Sequence, residues 1–419
     1  MIPVLVVEDS KMVAKVIMHV LSTSTVLEPV YAASFAEARD CVENASEPFF
    51  AALVDLTLPD ASDGEVVDYT LSENIPTIVL TSSFDEVRRE KLLKKGIVDY
   101  VTKEGRYSYE FAMGTLHRLV KNSAIKVLVT DDSSVQRSII VDLLRLHLYH
   151  VLEAEDGVEA IQVFLANPDT RLLITDYNMP RMDGFELIRN LRVKYEKTDL
   201  AIIGLSSDDE NALSAKFIKH GANDFLKKPF NHEEFFCRIS HNVELVELVE
   251  KIRDQANRDD LTGVYHRQYY FKYASQLIVR SQESNSPLAV AMLEIENFSD
   301  INLRFGNEGG DRILRQVAQN FEKIFDHFFV ARAEGATFFV LFPGLDNEKA
   351  VAYVDKVRQI ISSKKVDSGN GLIGVTYTAG VSNLHQGSID AFTSAAVQCL
   401  KRAKEAGGDL VFGDDEGQV

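Results

Sequence analysis

Acidic side chains end two apolar runs near the start of the chain, and together they could hold a metal ion. The run VLVVED ends in Glu8 and Asp9, and the run ALVDLTLPD carries Asp55. Three carboxylates at one place form the hard-oxygen site that suits Mg²⁺, which takes few protein ligands and keeps several waters. With Mg²⁺ offsetting the negative charge, Asp55 could attack a phosphoryl donor and form an aspartyl phosphate.

A hydroxyl group and an ammonium group follow two further apolar runs. Thr81 lies in TIVLTSS, and Lys103 comes at the end of DYVTK. Lys103 could pair with the oxygens of a new phosphoryl group, and the Thr81 hydroxyl could donate a hydrogen bond to them. Because the second contact forms only when phosphate is present, it could move a loop and act as a switch.

All of these residues recur in the same order roughly 120 residues further along the chain, which is an internal repeat. The matching runs are VLVTDD, LLITDYNMP, IIGLSSD and DFLKKP. Four matched runs in one order predict that the chain opens with two copies of one domain. The residues of the second copy that correspond to the first set are Asp131, Asp132, Asp176, Ser206 and Lys228.

The elements that position these residues follow from the hydrophobic pattern. In each copy, short apolar runs alternate with stretches of helical period, which predicts βα units around a parallel sheet. Ligands of such open sheets bind beyond the carboxyl ends of the strands. Each candidate residue lies at or just beyond such an end, so we expect one crevice in each copy.

The rest of the chain changes pattern. From about His232 to Arg258 apolar residues recur at helical spacing among charged ones, which predicts one continuous helix. This helix could pair with its twin in a short coiled coil or pack on its own domain, and the sequence leaves both open. From about Asp259, apolar strands alternate with amphipathic helices and predict an α/β layer domain. We predict domains at 1–121 and 124–243, a linker helix at 244–258, and a third domain at 259–419.

Composition excludes several classes of function. The 419 residues suggest about three domains, and the net charge of −18 argues against nucleic acid or anionic lipid as the main partner. The cysteines Cys41, Cys237 and Cys399 are single and far apart, so neither a disulfide framework nor a zinc site is expected. Apolar runs stay well below the ~18 residues of a membrane span. These features predict a cytoplasmic protein.

With these motifs, the two copies resemble the CheY-like receiver domains of bacterial response regulators, which are doubly wound parallel sheets. The resemblance implies phosphorylation on Asp55 and Asp176 with Mg²⁺, and a histidine kinase or phosphotransfer protein as donor. It also implies aromatic switch residues, Tyr100 and Phe225, three positions before each lysine. The first copy departs from the family where it has Lys103-Glu104, since the second has the usual Lys228-Pro229.

The third domain resembles GGDEF domains, the diguanylate cyclases that condense two GTP into cyclic di-GMP. The stretches DDLTGVYHR and LEIENFSDINLRFGNEGGD carry the likeness, together with VTYTAGV and the late Ala403-Lys404 pair. The resemblance implies an α/β fold of the nucleotidyl-cyclase kind. The whole chain is then similar to response regulators with the order receiver–receiver–GGDEF.

The signature of that family is altered in this chain. Where the family has R-x-G-G-D/E-E-F, the chain has RAEGATF, so Glu334 replaces the first glycine, Ala336 the metal-binding acid and Thr337 the next acid. Two-metal phosphoryl transfer needs carboxylate ligands, and alanine offers none. Ser299, Leu303 and Gly408 replace a lysine, an aspartate and an arginine of the family pattern. The residues of the altered signature are Arg332, Glu334, Gly335, Ala336, Thr337 and Phe338.

These losses predict a degenerate GGDEF output that acts by protein interaction or allostery and is not an enzyme, in a response regulator that forms a homodimer and binds a downstream signalling protein. One alternative is a residual diguanylate cyclase that works through Glu294, Glu296 and Glu334. Another is a GTP sensor, because the residues that contact guanine in the family correspond here to Asn302 and Asp311. Glu294 and Lys404 complete the set of candidate nucleotide-binding residues.

Overall fold

Parallel β-strands flanked by helices build the first part of the chain, as seen in a computed structural model of the protein. The structure describes residues 1–82, 85–207, 211–369, 371–383 and 388–414. It divides into two units, Met1–Glu250 and Lys251–Val419. The first unit holds two α/β domains, and the second unit holds one.

The first domain contains a parallel sheet with the strand order β2-β1-β3-β4-β5. Apolar clusters cover both faces of this sheet, as expected for parallel strands that are apolar along their whole length. Its strands and helices are β1 Ile2–Val7, α1 Lys11–Ser22, β2 Leu27–Ala32, α2 Phe35–Glu43, β3 Ala51–Asp55, α3 Glu65–Ser72, β4 Thr77–Thr81, α4 Glu86–Lys95, β5 Asp99–Thr102 and α5 Arg106–Asn122.

The second domain repeats this architecture with the equivalent strand order, β7-β6-β8-β9-β10, again with a core on each face. The prediction of two doubly wound parallel sheets is therefore confirmed. Its elements are β6 Lys126–Thr130, α6 Ser134–Leu146, β7 His150–Ala154, α7 Gly157–Ala166, β8 Thr170–Asp176, α8 Gly184–Arg192, β9 Ala201–Ser206, α9 Asn211–His220, β10 Asp224–Lys227 and α10 His232–Ala256.

The same local device turns the chain after the first strand of each domain. Ser10 follows the acidic pair Glu8-Asp9, and its hydroxyl accepts a hydrogen bond from the backbone N–H of Val13. Ser133 follows Asp131-Asp132 and accepts from Gln136 in the same way. A serine in this N-cap position satisfies a free N–H of the helix. The cap therefore fixes where the helix begins, directly beside the acids.

The last helix of the second domain, α10, continues past the end of that domain. Its first half packs into the domain core through Phe235, Phe236, Ile239 and Val243, among others. The predicted linker at 244–258 thus begins inside this helix, and its boundaries stay a prediction. Further along, three apolar side chains at helical spacing are 42% to 54% exposed: Leu245, Leu248 and Ile252.

The third domain has a mixed sheet with the strand order β11-β13-β14-β12-β17-β18, and a small two-stranded sheet of β15 and β16. The strands predicted from the sequence form its centre, since β12 pairs antiparallel with both β14 and β17. Its elements are β11 Tyr265–His266, α11 Arg267–Ser284, β12 Leu288–Ile295, α12 Phe298–Ile324, β13 Phe329–Glu334, β14 Thr337–Pro343, α13 Asn347–Ser363, β15 Lys365–Asp367, β16 Leu372–Gly374, β17 Tyr377–Ser382, α14 Ile389–Glu405 and β18 Val411–Phe412. Among the described residues, no helix is both long enough and apolar enough to cross a membrane.

Gly184 shows how closely the chain packs beside Asp176. A Cβ atom at this position would lie 2.3 Å from the carbonyl oxygen of Asp176. We expect Gly184→Ala to lower the free energy of unfolding by ~1–3 kcal/mol, as overpacking does. Differential scanning calorimetry of the full chain measures this change.

The matched control is Gly114→Ala in α5, where a Cβ atom would meet nothing within 4 Å. That substitution should stabilise the protein by roughly 0.5–1 kcal/mol, because alanine has the higher helix propensity. Equal effects of the two variants would contradict the close packing at Gly184.

Candidate functional sites

A buried lysine joins two acids at the carboxyl end of the first sheet. The Nζ atom of Lys103 lies 2.7 Å from Oε2 of Glu8 and 2.6 Å from Oδ2 of Asp55. Glu8 follows β1, Asp55 ends β3 and Lys103 follows β5, so two adjacent strands and the edge strand beyond β4 supply the cluster. The predicted convergence of these residues is therefore observed.

Burial and charge oppose each other in this pocket. Glu8 is fully buried, and this desolvation raises the pKa of its carboxyl group against the effect of the Lys103 hydrogen bond. Burial would lower the pKa of Lys103, but its hydrogen bonds to Asp55 and Glu8 outweigh burial and raise that pKa. The ammonium group thus compensates two acids that would otherwise repel each other.

Three acids at this edge of the first sheet lie close enough together to bind one cation. Glu8, Asp9 and Asp55 each offer a carboxylate oxygen, and these oxygens all lie within 4.8 Å of one another. Carboxylate oxygens are the hard ligands that suit Mg²⁺, and receiver domains bind Mg²⁺ at such acidic pockets. The residues present therefore fit this ion.

The second domain has the equivalent pocket. Nζ of Lys228 lies 2.6 Å from Oδ2 of Asp131 and 2.6 Å from Oδ1 of Asp176. Burial raises the pKa of Asp176, although hydrogen bonds from Lys228 and from the backbone N–H of Asn178 lower it. Asp132 is exposed, and within the described ranges its carboxylate forms no tight triad with the other two acids.

The predicted switch residues lie on β4 and β5 of the first sheet and on β9 and β10 of the second. The hydroxyl residues Thr81 and Ser206 end β4 and β9 and are 4% and 3% exposed. Tyr100 is buried in the core of the first domain. Phe225 is half-buried, and its ring lies 5.4 Å from that of Phe217 on α9.

The acids of the third domain contact different partners. Oε1 of Glu294 lies 2.5 Å from Nζ of Lys404, and Glu296 accepts a hydrogen bond from the hydroxyl of Thr378. The side chain of Glu334 is 88% exposed, and its carboxylate is 3.7 Å from Arg267. Across the described ranges, the acids of this domain form no three-carboxylate cluster with metal-site spacing.

The altered signature forms a well-defined hairpin. Arg332 donates to Asp259 at 3.0 Å and to the carbonyl oxygen of Gly335 at 2.8 and 3.0 Å. Gly335 has a positive φ of 56°, which glycine adopts without strain. Ala336 packs against the core, Thr337 pairs with Glu294 across the strands, and Phe338 is fully buried.

The candidate guanine-contacting residues lie on α12. Both Asn302 and Asp311 are half-buried, on either side of a kink at Gly306, whose φ is 73° and ψ 170°. A Cβ atom on Gly310 would lie 1.9 Å from Oδ1 of Asn302. Glycine at 310 therefore makes room for the Asn302 side chain.

The sequence did not predict which residues form ion pairs with the acids of the third domain. The pairing of Glu294 with Lys404, and of Glu334 with Arg267, joins residues far apart in the chain. The sequence also did not predict the contact between the two N-terminal domains, where Arg118 pairs with Glu247. No periodicity or motif marks such pairs; only an excess of charge on predicted helices could have suggested them.

Comparison with known proteins identifies two families, one in the second domain and one in the third. The family model for the response regulator receiver domain matches residues 127–240, and that for the diguanylate cyclase GGDEF domain matches residues 256–409. The response regulator PleD of Caulobacter vibrioides is 24% identical over 303 residues, which cover 69% of this chain but only 65% of PleD. A chemotaxis protein CheY homolog of Campylobacter jejuni is 43% identical over 107 residues, covering 25% of this chain and 82% of that protein.

A solved structure extends the likeness beyond one domain. The crystal structure of a two-component system response regulator/GGDEF domain protein is 42% identical, with a TM-score of 0.54. The match covers 59% of this chain and 100% of that one. Receiver-like and GGDEF folds thus define the class of protein. The chain belongs to the response regulators that carry a GGDEF domain.

The position of Lys103 predicts competition with a metal ion. In Lys103→Ala the ammonium group no longer compensates Glu8 and Asp55, so we expect Mg²⁺ to bind several-fold more tightly, because the cation has no rival for these carboxylates. Isothermal titration calorimetry measures this affinity. An Asp176→Ala background restricts binding to the first pocket.

The control is Lys126→Ala, since Lys126 pairs with Asp169 at the other end of its sheet. This variant should leave Mg²⁺ affinity unchanged. Weaker binding in Lys103→Ala than in the control would contradict the competition.

Proposed function

We propose that both N-terminal domains are receivers, in a receiver–receiver–GGDEF response regulator that is phosphorylated on Asp55 and Asp176. The observation that carries this proposal is the repeated pocket, in which one buried lysine contacts two acids at the carboxyl ends of the strands. A decayed pocket would have lost at least one of these groups. The donor would be a histidine kinase or phosphotransfer protein.

The reaction is a phosphoryl transfer to a carboxylate. An oxygen of Asp55 attacks the phosphorus atom, the bond from phosphorus to the donor breaks, and the donor leaves with the electron pair of that bond. Bound Mg²⁺ would supply positive charge that offsets the phosphoryl oxygens and the acids. Lys103 already lies 2.6 Å from Asp55, and its ammonium group can pair with the incoming phosphoryl oxygens. Lys228 has this role beside Asp176.

The switch would follow from new hydrogen bonds. Thr81 and Ser206 end strands that flank the two phosphoacceptor strands, so their hydroxyl groups can turn toward a phosphoryl group. Tyr100 and Phe225 lie on the next strands and would change packing with them. Phosphorylation would thereby change the surfaces of the receivers.

We further propose that the GGDEF domain is degenerate and acts by protein interaction or allostery. Its support is that each acid has a partner of its own: Glu294 forms an ion pair with Lys404, Glu296 accepts a hydrogen bond from Thr378 and Glu334 lies near Arg267. A cyclase holds two metal ions on carboxylates, and Ala336 supplies none. The domain would transmit the state of the receivers to a downstream signalling protein.

The exposed apolar side chains of α10 favour a homodimer. Leu245, Leu248 and Ile252 share one face of the helix and are 42% to 54% exposed. Apolar residues at such spacing pair well with a second copy of the same helix. The cytoplasmic location remains a prediction from the sequence.

Phosphorylation can be tested directly. With Mg²⁺ and a small phosphodonor, intact-mass spectrometry should show up to two added phosphoryl groups. Asp55→Ala and Asp176→Ala should each remove one group, and the double variant should accept none, because the attacking carboxylates are gone. Asp9→Ala together with Asp132→Ala keeps both attacking carboxylates and should only slow labelling. Labelling that persists in the Asp55/Asp176 double variant would overturn the assignment.

The third domain requires an assay with GTP. We expect no cyclic di-GMP from the Mg²⁺-loaded protein, phosphorylated or not, because the missing metal ligand and phosphate contacts act on one transition state. Ala336→Asp with Thr337→Glu should not restore synthesis, since Ser299 and Gly408 still lack positive charge. Mass spectrometry detects the product, and an active GGDEF domain serves as the positive control. Turnover by the unmodified protein would establish the cyclase, whereas GTP binding without turnover would identify a sensor that uses Asn302 and Asp311.

A further inference from the structure

The two receiver-like domains meet through a contact built from charged and buried polar groups. Arg118 on α5 donates to both carboxylate oxygens of Glu247 on α10, at 2.8 and 2.9 Å. The side-chain amide of Asn122 donates to the carbonyl oxygen of His147 at 2.9 Å. Arg89 on α4 forms an ion pair with Glu233. The helices α4 and α5 of the first domain thus contact α6 and α10 of the second.

Two imidazole rings lie inside this contact. His147 is 8% exposed and stacks on Phe236 with a centroid distance of 3.4 Å and an angle of 16°. His232 lies 5.6 Å from His147, centroid to centroid. The Nε2 atoms of both rings are buried and have no hydrogen-bond partner within the described part of the chain.

Such rings are stable in this place only when they are neutral. An imidazolium carries two N–H donors, and a buried donor without an acceptor costs free energy. His147 also forms a hydrogen bond with the backbone of Val98 in the first domain. Burial lowers the pKa of His147 to about 3 and that of His232 to about 4, and the proximity of the two rings adds to the effect on His147.

We propose that the contact between the two receiver-like domains is a pH-sensitive joint, which opens in mildly acidic conditions because His147 and His232 then reach water and take up protons. This property depends on neither phosphorylation nor nucleotide. It therefore goes beyond the function proposed above.

The direction follows from proton linkage. Both histidines have depressed pKa values in the closed contact and return to about 6.5 in the open one, so each favours opening as the pH falls below 6.5. Each protonation multiplies the opening constant by about ten for every pH unit below that value. The contribution of the two histidines to the closed contact is complete at neutral pH and is lost as the pH falls below about 6.5.

Asp99 acts in the opposite direction. Burial raises the pKa of Asp99 to about 6, with Glu233 raising it further and a backbone hydrogen bond and Arg89 lowering it. Opening would return this pKa to about 3.9, so Asp99 favours the closed contact between about pH 4 and 6. The two histidines outweigh one aspartate, and the net effect of acid is opening.

These values predict the size of the response. From pH 7.5 to 5.5 the opening constant should rise about 25-fold in the unmodified contact. In Asp99→Asn the opposing group is gone, and the rise should be about 100-fold. In His147→Gln with His232→Gln only Asp99 remains, and the constant should fall about fourfold.

A cysteine at the contact can report opening. Leu146 at the end of α6 packs against the core of the first domain, so the thiol of Leu146→Cys is shielded while the contact is closed. The full chain would react with 4,4′-dithiodipyridine, which modifies thiols in acid, and mass spectrometry of peptides would give the rate at each pH. The rate is divided by that of Cys237, which is exposed in the protein, to correct for reagent chemistry.

The control is His220→Gln. This imidazole also lies in the second domain, but its ring packs against Phe185 and away from the contact. The variant should keep the 25-fold response. A flat pH profile in the unmodified contact, or an unchanged response in the double histidine variant, would overturn the proposal. Should that variant fail to fold, the steeper response of Asp99→Asn still decides, because a smaller or equal response there is equally contradictory.

Discussion

The compensation of buried carboxylates by one ammonium group is the constraint on which the N-terminal half depends. Parallel strands bring their carboxyl ends to one edge, so acids placed there converge and repel each other. Lys103 and Lys228 relieve this repulsion from the last strand of each sheet. Three features position the acids at this edge. They are the order of the strands, the serine caps after the acidic pairs and the close packing at Gly184.

In the part of the third domain that the structure describes, no single lysine contacts two of the three acids named above; each acid has its own partner. Three of its acids have different partners, a lysine, a threonine and an arginine. The hairpin that carries the altered signature is nevertheless well packed, because Phe338 fills the core and Arg332 ties the turn to Asp259. The residues that pack this hairpin are therefore in place although its signature sequence is altered.

Features that a local sequence pattern marks could be predicted, whereas contacts between residues that no pattern connects could not. The parallel sheets and the meeting of Glu8, Asp55 and Lys103 could be predicted, because apolar runs mark strands and parallel sheets align their ends. The architecture of the third domain followed from the alternation of its strands and helices. Contacts between surfaces were missed, since Asn122 and His147, or Arg118 and Glu247, carry no pattern that pairs one with the other. Such contacts depend on how finished domains meet.

The ion pair of Arg118 and Glu247 makes each of the two N-terminal domains partly dependent on the other. By topology the first unit has two separate sheets, each with its own core, and a cut near residue 123 would pass between them. That cut would separate the Arg118 guanidinium group from its carboxylate partner and would expose Leu146 and Leu148, which pack on the neighbouring core. A module that is duplicated in the sequence thus depends in part on its neighbour. Either half, transplanted alone to another protein, would expose these apolar side chains and an unpaired charge to water.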